Sequence, residues 1–233
     1  MSVSSRWEPK RHRKSNNCAG LWHCTMKCKG LLLGVLGGAW VLCAGCSDTP
    51  SVTMPPLDPA AIAQEALSRY DVNSDGRLDS TELEASPALS ALLLTVKNHD
   101  AGHADSLTVK DIAVRVEAWK RSGAVVLGGG TRITFDGKPL AGALVTWEPE
   151  AYLGPFYHPM SGTTNEQGYA VIAPALEGFP GIHPGLYTVR ISKKAEGKET
   201  LPACYNEKSI LGREVAADMF DGEHFGNFDL KSK

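Results

Sequence analysis

The chain lacks the usual signatures of catalysis. It has no Gly-x-Ser-x-Gly, no His-Glu-x-x-His and no phosphate loop. That leaves no nucleophile elbow, zinc-protease helix or nucleotide cradle to build on. An excess of basic charge is also missing, with 24 Lys+Arg against 26 Asp+Glu. Seven of the basic residues and one of the acidic ones fall in residues 1–45, so the rest of the chain carries 17 and 25, a net −8. This excludes nucleic acid as a partner and electrostatic attachment to anionic lipid. Cysteine runs out early. Five of the six lie at or before position 46, and only Cys204 lies beyond. Residues after 46 therefore have no ordinary internal disulfide and must rely on a buried core. The apolar run from Leu31 to Ala44 is too short to span a bilayer comfortably.

What is present begins with an address. "MKCKGLLLGVLGGAWVLCAGC", Met26 to Cys46, has two lysines, an apolar run and small residues before a cysteine. That is the layout of a secretory signal. Its ending, "CAGC", resembles the bacterial lipobox, in which the cysteine is lipidated and becomes the first residue of the mature chain. Ala44, Gly45 and Cys46 match, while Cys43 stands where an aliphatic residue is usual. The resemblance implies cleavage before Cys46, a lipid on that residue and a membrane-anchored, exported protein. A plain signal peptide or an uncleaved anchor is the competing reading. Ser47, in place of Asp, implies by the same resemblance the outer membrane or cell surface of a bacterium. Residues 1–25 are polar and basic, and Met26 is read as the true start. Otherwise they are an extended n-region that is cleaved away. Cys18, His23, Cys24 and Cys28 lack the paired spacing of a zinc site. The division expected is a leader and lipoprotein signal over 1–45, then the lipidated Cys46 and a proline-rich tether over 46–57.

"DVNSDGRLDSTE", Asp71 to Glu82, carries the most specific chemistry. A calcium loop of the EF-hand type places oxygen ligands at positions 1, 3, 5, 7, 9 and 12, with Gly at 6. These positions hold Asp71, Asn73, Asp75, Arg77 (through its carbonyl), Asp79 and Glu82, with Gly76 at 6 and aliphatic Leu78 at 8. The spacing suits Ca²⁺, a hard cation that takes six to eight oxygens. Asp58-Pro59 reads as an N-cap and first helical residue, followed by an apolar stripe of Ala63, Ala66, Leu67 and Tyr70. Such hands pair, so a partner is expected downstream. Ser86-Pro87 opens a helix with Leu89, Leu92, Leu93 and Val96 on one face. Asp100 then begins "DAGHADSLTVKD", with Leu107 at position 8 and Asp111 at 12. Gly102 and Ala104 replace the ligands at 3 and 5, so this hand is read as degenerate and kept for packing. Ile112, Val116 and Trp119 stripe its exit helix. His99 and His103 lack a third metal ligand at suitable spacing. Residues 58–121 are thus an expected EF-hand pair that holds one Ca²⁺. Facing outward, it meets abundant calcium and serves as a structural site.

After Ser122-Gly123 the period changes from helix to strand. Arg132–Phe135, Ala143–Glu148, Gly162–Thr164, Tyr169–Ala173, a strand in "PGLYTVRISKK", Arg213–Val215 and Phe225–Leu230 read as short strands between turns. "FDGKPLAGALVTWEPE", "SGTTNEQGYAVI", "GLYTVRISK", "CYN" and the terminal "FDL" resemble the transthyretin-like, carboxypeptidase regulatory-like domain of bacterial surface lipoproteins. The resemblance covers residues 124–233. It implies a seven-stranded, antiparallel Greek-key β-sandwich, so the chain is expected to be multidomain, α plus all-β, with the sandwich folding on its own. It implies support or presentation and gives no activity by itself. The tail "NFDLKSK" differs from the Tyr-Arg-Gly-Ser ending of hydroxyisourate hydrolases. Arg132 stands where adhesin domains that form isopeptide bonds carry Lys, and Asn227 has no evident Lys partner.

The remaining candidates are bland. His158, His183 and His224 lie in loops or near the terminus. "YLGPFYHPM", Tyr152 to Met160, either grips a sugar or peptide or folds over the open end of the sandwich. Cys204 reads as a small buried hydrophobe. The expectation is a non-enzymatic, calcium-binding, lipid-anchored envelope protein with a structural or adhesive role and an envelope protein or glycan as partner. The alternative is a carbohydrate- or peptide-binding module, or an accessory to a secreted peptidase.

Overall fold

Asp58 starts the first helix because its carboxylate accepts the free amides of Ala60 and Ala61, at 3.0 and 3.1 Å. The computed structural model describes residues 53–100, 105–172, 181–219 and 224–232, all within one contact unit spanning Thr49–Lys233. The leader, Cys46, the start of the tether, Gly102, His103 and Ala104 lie outside the described residues. The described residues combine four α-helices with mainly antiparallel sheet.

Helix α1 (Pro59–Tyr70) leads through a loop to the two-residue strand β1 (Arg77–Leu78) and the short helix α2 (Ser80–Leu83). Helix α3 (Pro87–His99) follows, then β2 (Leu107–Thr108) and α4 (Val109–Ser122). Each start is fixed locally. Ser86 Oγ accepts the Leu89 amide, and Thr108 forms a reciprocal capping box with Asp111. Gly123, at φ 66°, closes α4 in the left-handed conformation that ends many helices. β1 and β2 pair antiparallel, with Leu78 opposite Leu107, and both leucines are fully buried. α1 packs on α4, and α3 lies against the sheet. Pro55 and Leu57 are buried, so the end of the proline-rich stretch is part of the folded body.

The β-part comprises β3 (Gly130–Phe135), β4 (Lys138–Pro139), β5 (Leu144–Pro149), β6 (Met160–Thr163), β7 (Tyr169–Val171), β8 (Gly185–Ser192), β9 (Lys194–Ala195), β10 (Lys198–Glu199), β11 (Gly212–Val215) and β12 (His224–Leu230). One antiparallel sheet runs β11-β8-β5-β6. The other is β12-β3-β4, with β7 also on β3. β4 and β7 pair with opposite ends of β3. β9 and β10 form a separate small hairpin that the sequence pattern did not reveal. The expectation of a wholly antiparallel sheet is corrected by β12, which runs parallel to β3 from His224 opposite Gly130 to Leu230 opposite Phe135. A parallel pair needs a long crossover, and the whole intervening β-part supplies it.

Tyr187, Val189 and Ile191 of β8 face inward with Val145 and Trp147 of β5, all fully buried. Trp147 meets Tyr187, Phe225 and Phe228 edge-on, with centroids 5.9, 5.9 and 6.2 Å apart. This bridges the inner faces of the two sheets. Leu186 points the other way and is still fully buried, because α3 packs on that face of β8 and β11. Contact there is so close that a Cβ on Gly212 would sit 1.7 Å from the Pro87 carbonyl oxygen.

Candidate metal site

The loop between α1 and α2 is shaped by its own acidic side chains. Asp71 caps the end of α1, and its carboxylate accepts the amides of Asp75 (3.2 Å) and Gly76 (2.9 Å). Asn73 Oδ1 accepts the Asp75 amide at 2.9 Å, and Asp75 Oδ1 accepts the Arg77 amide at 2.9 Å. These side-chain-to-backbone turns fold the chain tightly, and Ser74 (φ 60°) and Gly76 (φ 81°) adopt left-handed conformations. Glu82, at the other end, is only 8 % exposed. Its Oε1 accepts the Val72 and Asn73 amides (2.8 and 3.2 Å), and its Oε2 accepts the Asp79 amide (3.1 Å). Asp79 caps α2 through the amides of Thr81 and Glu82. The last residue of the motif is thereby stitched to its second and third across the loop.

This donor set suits a hard cation. Asp71, Asn73, Asp75, Asp79 and Glu82 offer only oxygen, and the Arg77 carbonyl lies in the same loop. A carboxylate oxygen that accepts one amide keeps lone-pair capacity for a cation. Among the described residues, no three His, Cys, Asp or Glu side chains converge as a ready-made metal cage. The carboxylates are turned onto the loop amides.

The second loop is described only in part. Asp105 pairs with Lys97, and this partner holds its carboxyl below the usual range. Asp111, expected at position 12, accepts the Thr108 amide (2.8 Å) and hydroxyl (2.6 Å) as a helix cap. His99 is exposed at the end of α3.

The other sequence candidates scatter. In the aromatic loop, Tyr152 and Tyr157 are buried, and Tyr157 donates to the Pro184 carbonyl at 2.8 Å, while Phe156 remains 56 % exposed. The two tyrosines thus follow the inward-folding alternative. His183 is buried, with Nδ1 2.6 Å from the Val125 carbonyl, and His158 is exposed. The His224 side chain is outside the description. Cys204 sits half-buried in a single helical turn, Ala203–Tyr205, which corrects its reading as a small buried hydrophobe. Asn227 pairs in register with Arg132 at the exposed edge of β12 and β3.

Sequence reasoning missed two polar groups that fasten helices to sheet. Arg115 lies on the buried face of α4, where its guanidinium meets Glu214 of β11 (2.7 Å) and Asp218 (2.8 Å). Trp119 Nε1 donates to the same Glu214 oxygen at 2.7 Å. The pairing lifts Arg115 further above its usual range despite burial, and Arg115 holds Asp218 below its own. The only signal was Arg115 falling on the stripe of Ile112, Val116 and Trp119. The second group is Glu150, after β5, which accepts hydrogen bonds from Tyr70 (3.0 Å) and Ser86 (2.8 Å). Burial raises the Glu150 carboxyl, and burial beside that carboxylate pushes Tyr70 up to about 12.

No family model, curated protein or solved structure matches the chain. Among the described residues no helix is long and apolar enough to cross a membrane.

Proposed function

We propose that this is a calcium-binding, lipid-anchored protein of the bacterial cell envelope, non-enzymatic and structural or adhesive in role. The observation that carries the reading is the loop Asp71–Glu82. Asp71, Asn73, Asp75, Asp79 and Glu82 carry side-chain oxygens at calcium spacing, and Glu82 closes the loop on Val72 and Asn73. Pairing of Leu78 with Leu107 supports two hands joined back to back, the first holding Ca²⁺ and the second kept for packing. The β-part supports a transthyretin-like sandwich. Counting β4 and β7 as one lane beside β3, it has four lanes in one sheet and three in the other. Lipidation at Cys46 and export rest on the sequence of residues 26–46.

Calcium bound at this loop stabilises the native state by mass action. The bound ion would be held by Asp71, Asn73, Asp75, the Arg77 carbonyl, Asp79 and Glu82, with affinity in the range of roughly 10⁻⁴–10⁻³ M typical of extracellular modules. The test has two arms. Melting temperature should rise with added calcium in the wild type and stay flat in Glu82→Gln. Cys46→Ala should lose detergent-phase partitioning and mature-size processing. A calcium shift that survives Glu82→Gln overturns the site, and unchanged partitioning overturns the anchor.

A further inference from the structure

Glu150 belongs to the β-part, yet both of its carboxylate oxygens are engaged by residues that flank the Asp71–Glu82 loop. Oε2 accepts from the Tyr70 hydroxyl at 3.0 Å and Oε1 from the Ser86 hydroxyl at 2.8 Å. Tyr70 is the last residue of α1 and directly precedes Asp71, the first ligand position. Ser86 caps α3, four residues after Glu82, the last ligand position. One carboxylate therefore holds both flanks of the twelve-residue loop. Its own place is fixed, since the Glu150 amide donates to Leu186 of β8 at 3.0 Å. The Ser86 end is further braced by Ser90, whose hydroxyl donates to the Leu83 carbonyl at 2.8 Å. Closing a flexible loop costs entropy, and fixing its ends beforehand lowers what ion binding must supply.

We propose that Glu150 is a positioning residue for the calcium loop, through which the sandwich sets the loop's affinity. The proposal rests on the calcium reading above. Glu150 touches no ion. It acts through Tyr70 and Ser86 by holding Asp71 and Glu82 at the span the ion requires. Calcium binding and the packing of α1 and α3 on the sheet then become one coupled equilibrium.

The test uses the detergent-solubilised full chain. Glu150→Ala should weaken calcium binding by roughly three- to thirty-fold, the usual reach of a residue outside the ligand set. Glu150→Gln should restore most of it, because an amide can accept one hydroxyl and donate to the other. Glu148→Gln, a control two residues earlier that alters the Arg190 pair, should leave affinity unchanged. If Glu150→Ala fails to fold, Tyr70→Phe carries the comparison. It keeps the ring, removes one arm and should show a smaller weakening. A second arm needs no calcium. Hydrogen exchange at the Val72 and Asn73 amides should quicken in Glu150→Ala and return toward wild type in Glu150→Gln. Wild-type affinity in Glu150→Ala overturns the proposal. If the wild type binds no calcium, the calcium reading fails by itself, and unchanged loop exchange in Glu150→Ala then overturns the clamp.

Discussion

On α4, Arg115 is pinned between Glu214 and Asp218. Beside the Asp71–Glu82 loop, Glu150 is held by two neutral hydroxyls. Both join helix to sheet, but by opposite chemistry. In the first, one guanidinium bridges two carboxylates, and Glu214 is buried at 2 % exposure. In the second, a single carboxylate faces Tyr70, Ser86 and buried Tyr152, with Arg69 as the cation that acts on it. The first is an ion-pair lock whose loss strands a charge. The second is a weaker clamp that tolerates protonation, and it holds both flanks of the Asp71–Glu82 loop.

The largest expected effect comes from breaking the lock. Arg115→Met leaves Glu214 buried with only the Trp119 N–H, and stranding a buried charge typically costs about 3–5 kcal/mol. Denaturant unfolding should show the loss, and Arg115→Met with Glu214→Leu should recover much of it. A double variant no better than the single one would show that the ion pair is not the source. Next is Gly212→Ala, whose methyl meets Pro87 backbone at 1.7 Å. Forced separation of α3 from β11 should cost about 1–3 kcal/mol or more, as overpacked sites do. An unchanged melting temperature would mean that α3 is not seated there. Removing the helices altogether uncovers Leu186 and Glu214. A fragment beginning at Ala124 should therefore keep a cooperative transition, as expected of a sandwich that folds on its own, but melt below the intact chain. Equal melting would show that the helices add nothing to the stability of the sheet.

The smallest effects separate the two seams by pH. Asp218 is held below its ordinary range by Arg115, so its contribution is present above that range and lost as pH falls through its folded value. Its side chain is 45 % exposed, so solvent screening keeps this to about 1 kcal/mol or less. Glu150 is raised by burial, so its contribution is complete below the ordinary carboxylate range and is lost as pH rises through its folded value. Asp218→Asn should flatten the acid limb of stability against pH, and Glu150→Gln the decline in stability as pH rises past the carboxylate range. The same limb responding to both variants would contradict the division between seams.

What the sequence made legible was local. Asp58 and Ser86 cap helices a few residues away, and the alternate oxygens of Asp71–Glu82 fold onto their own amides. Leu78 and Leu107 were findable because both occupy position 8 of a twelve-residue frame. The seams were hidden by distance: Glu150 lies 80 residues from Tyr70, and Glu214 lies 99 from Arg115. Period-2 patterning located β8 but gave no direction for β12 against β3, since alternation is the same in parallel and antiparallel pairs. Two-residue strands such as β4, β9 and β10 are too short to show a period. The tyrosines of the aromatic loop were legible as residues and silent about direction, which packing under the sandwich decided.

The central claim is that Asp71–Glu82 holds one calcium ion. Calorimetric titration of the purified full chain with calcium, beside Glu82→Gln, tests it most directly. The account predicts one site per chain with a dissociation constant near roughly 10⁻⁴–10⁻³ M, and no measurable heat of binding in Glu82→Gln. Two equivalent sites, or binding that persists in Glu82→Gln, would contradict it.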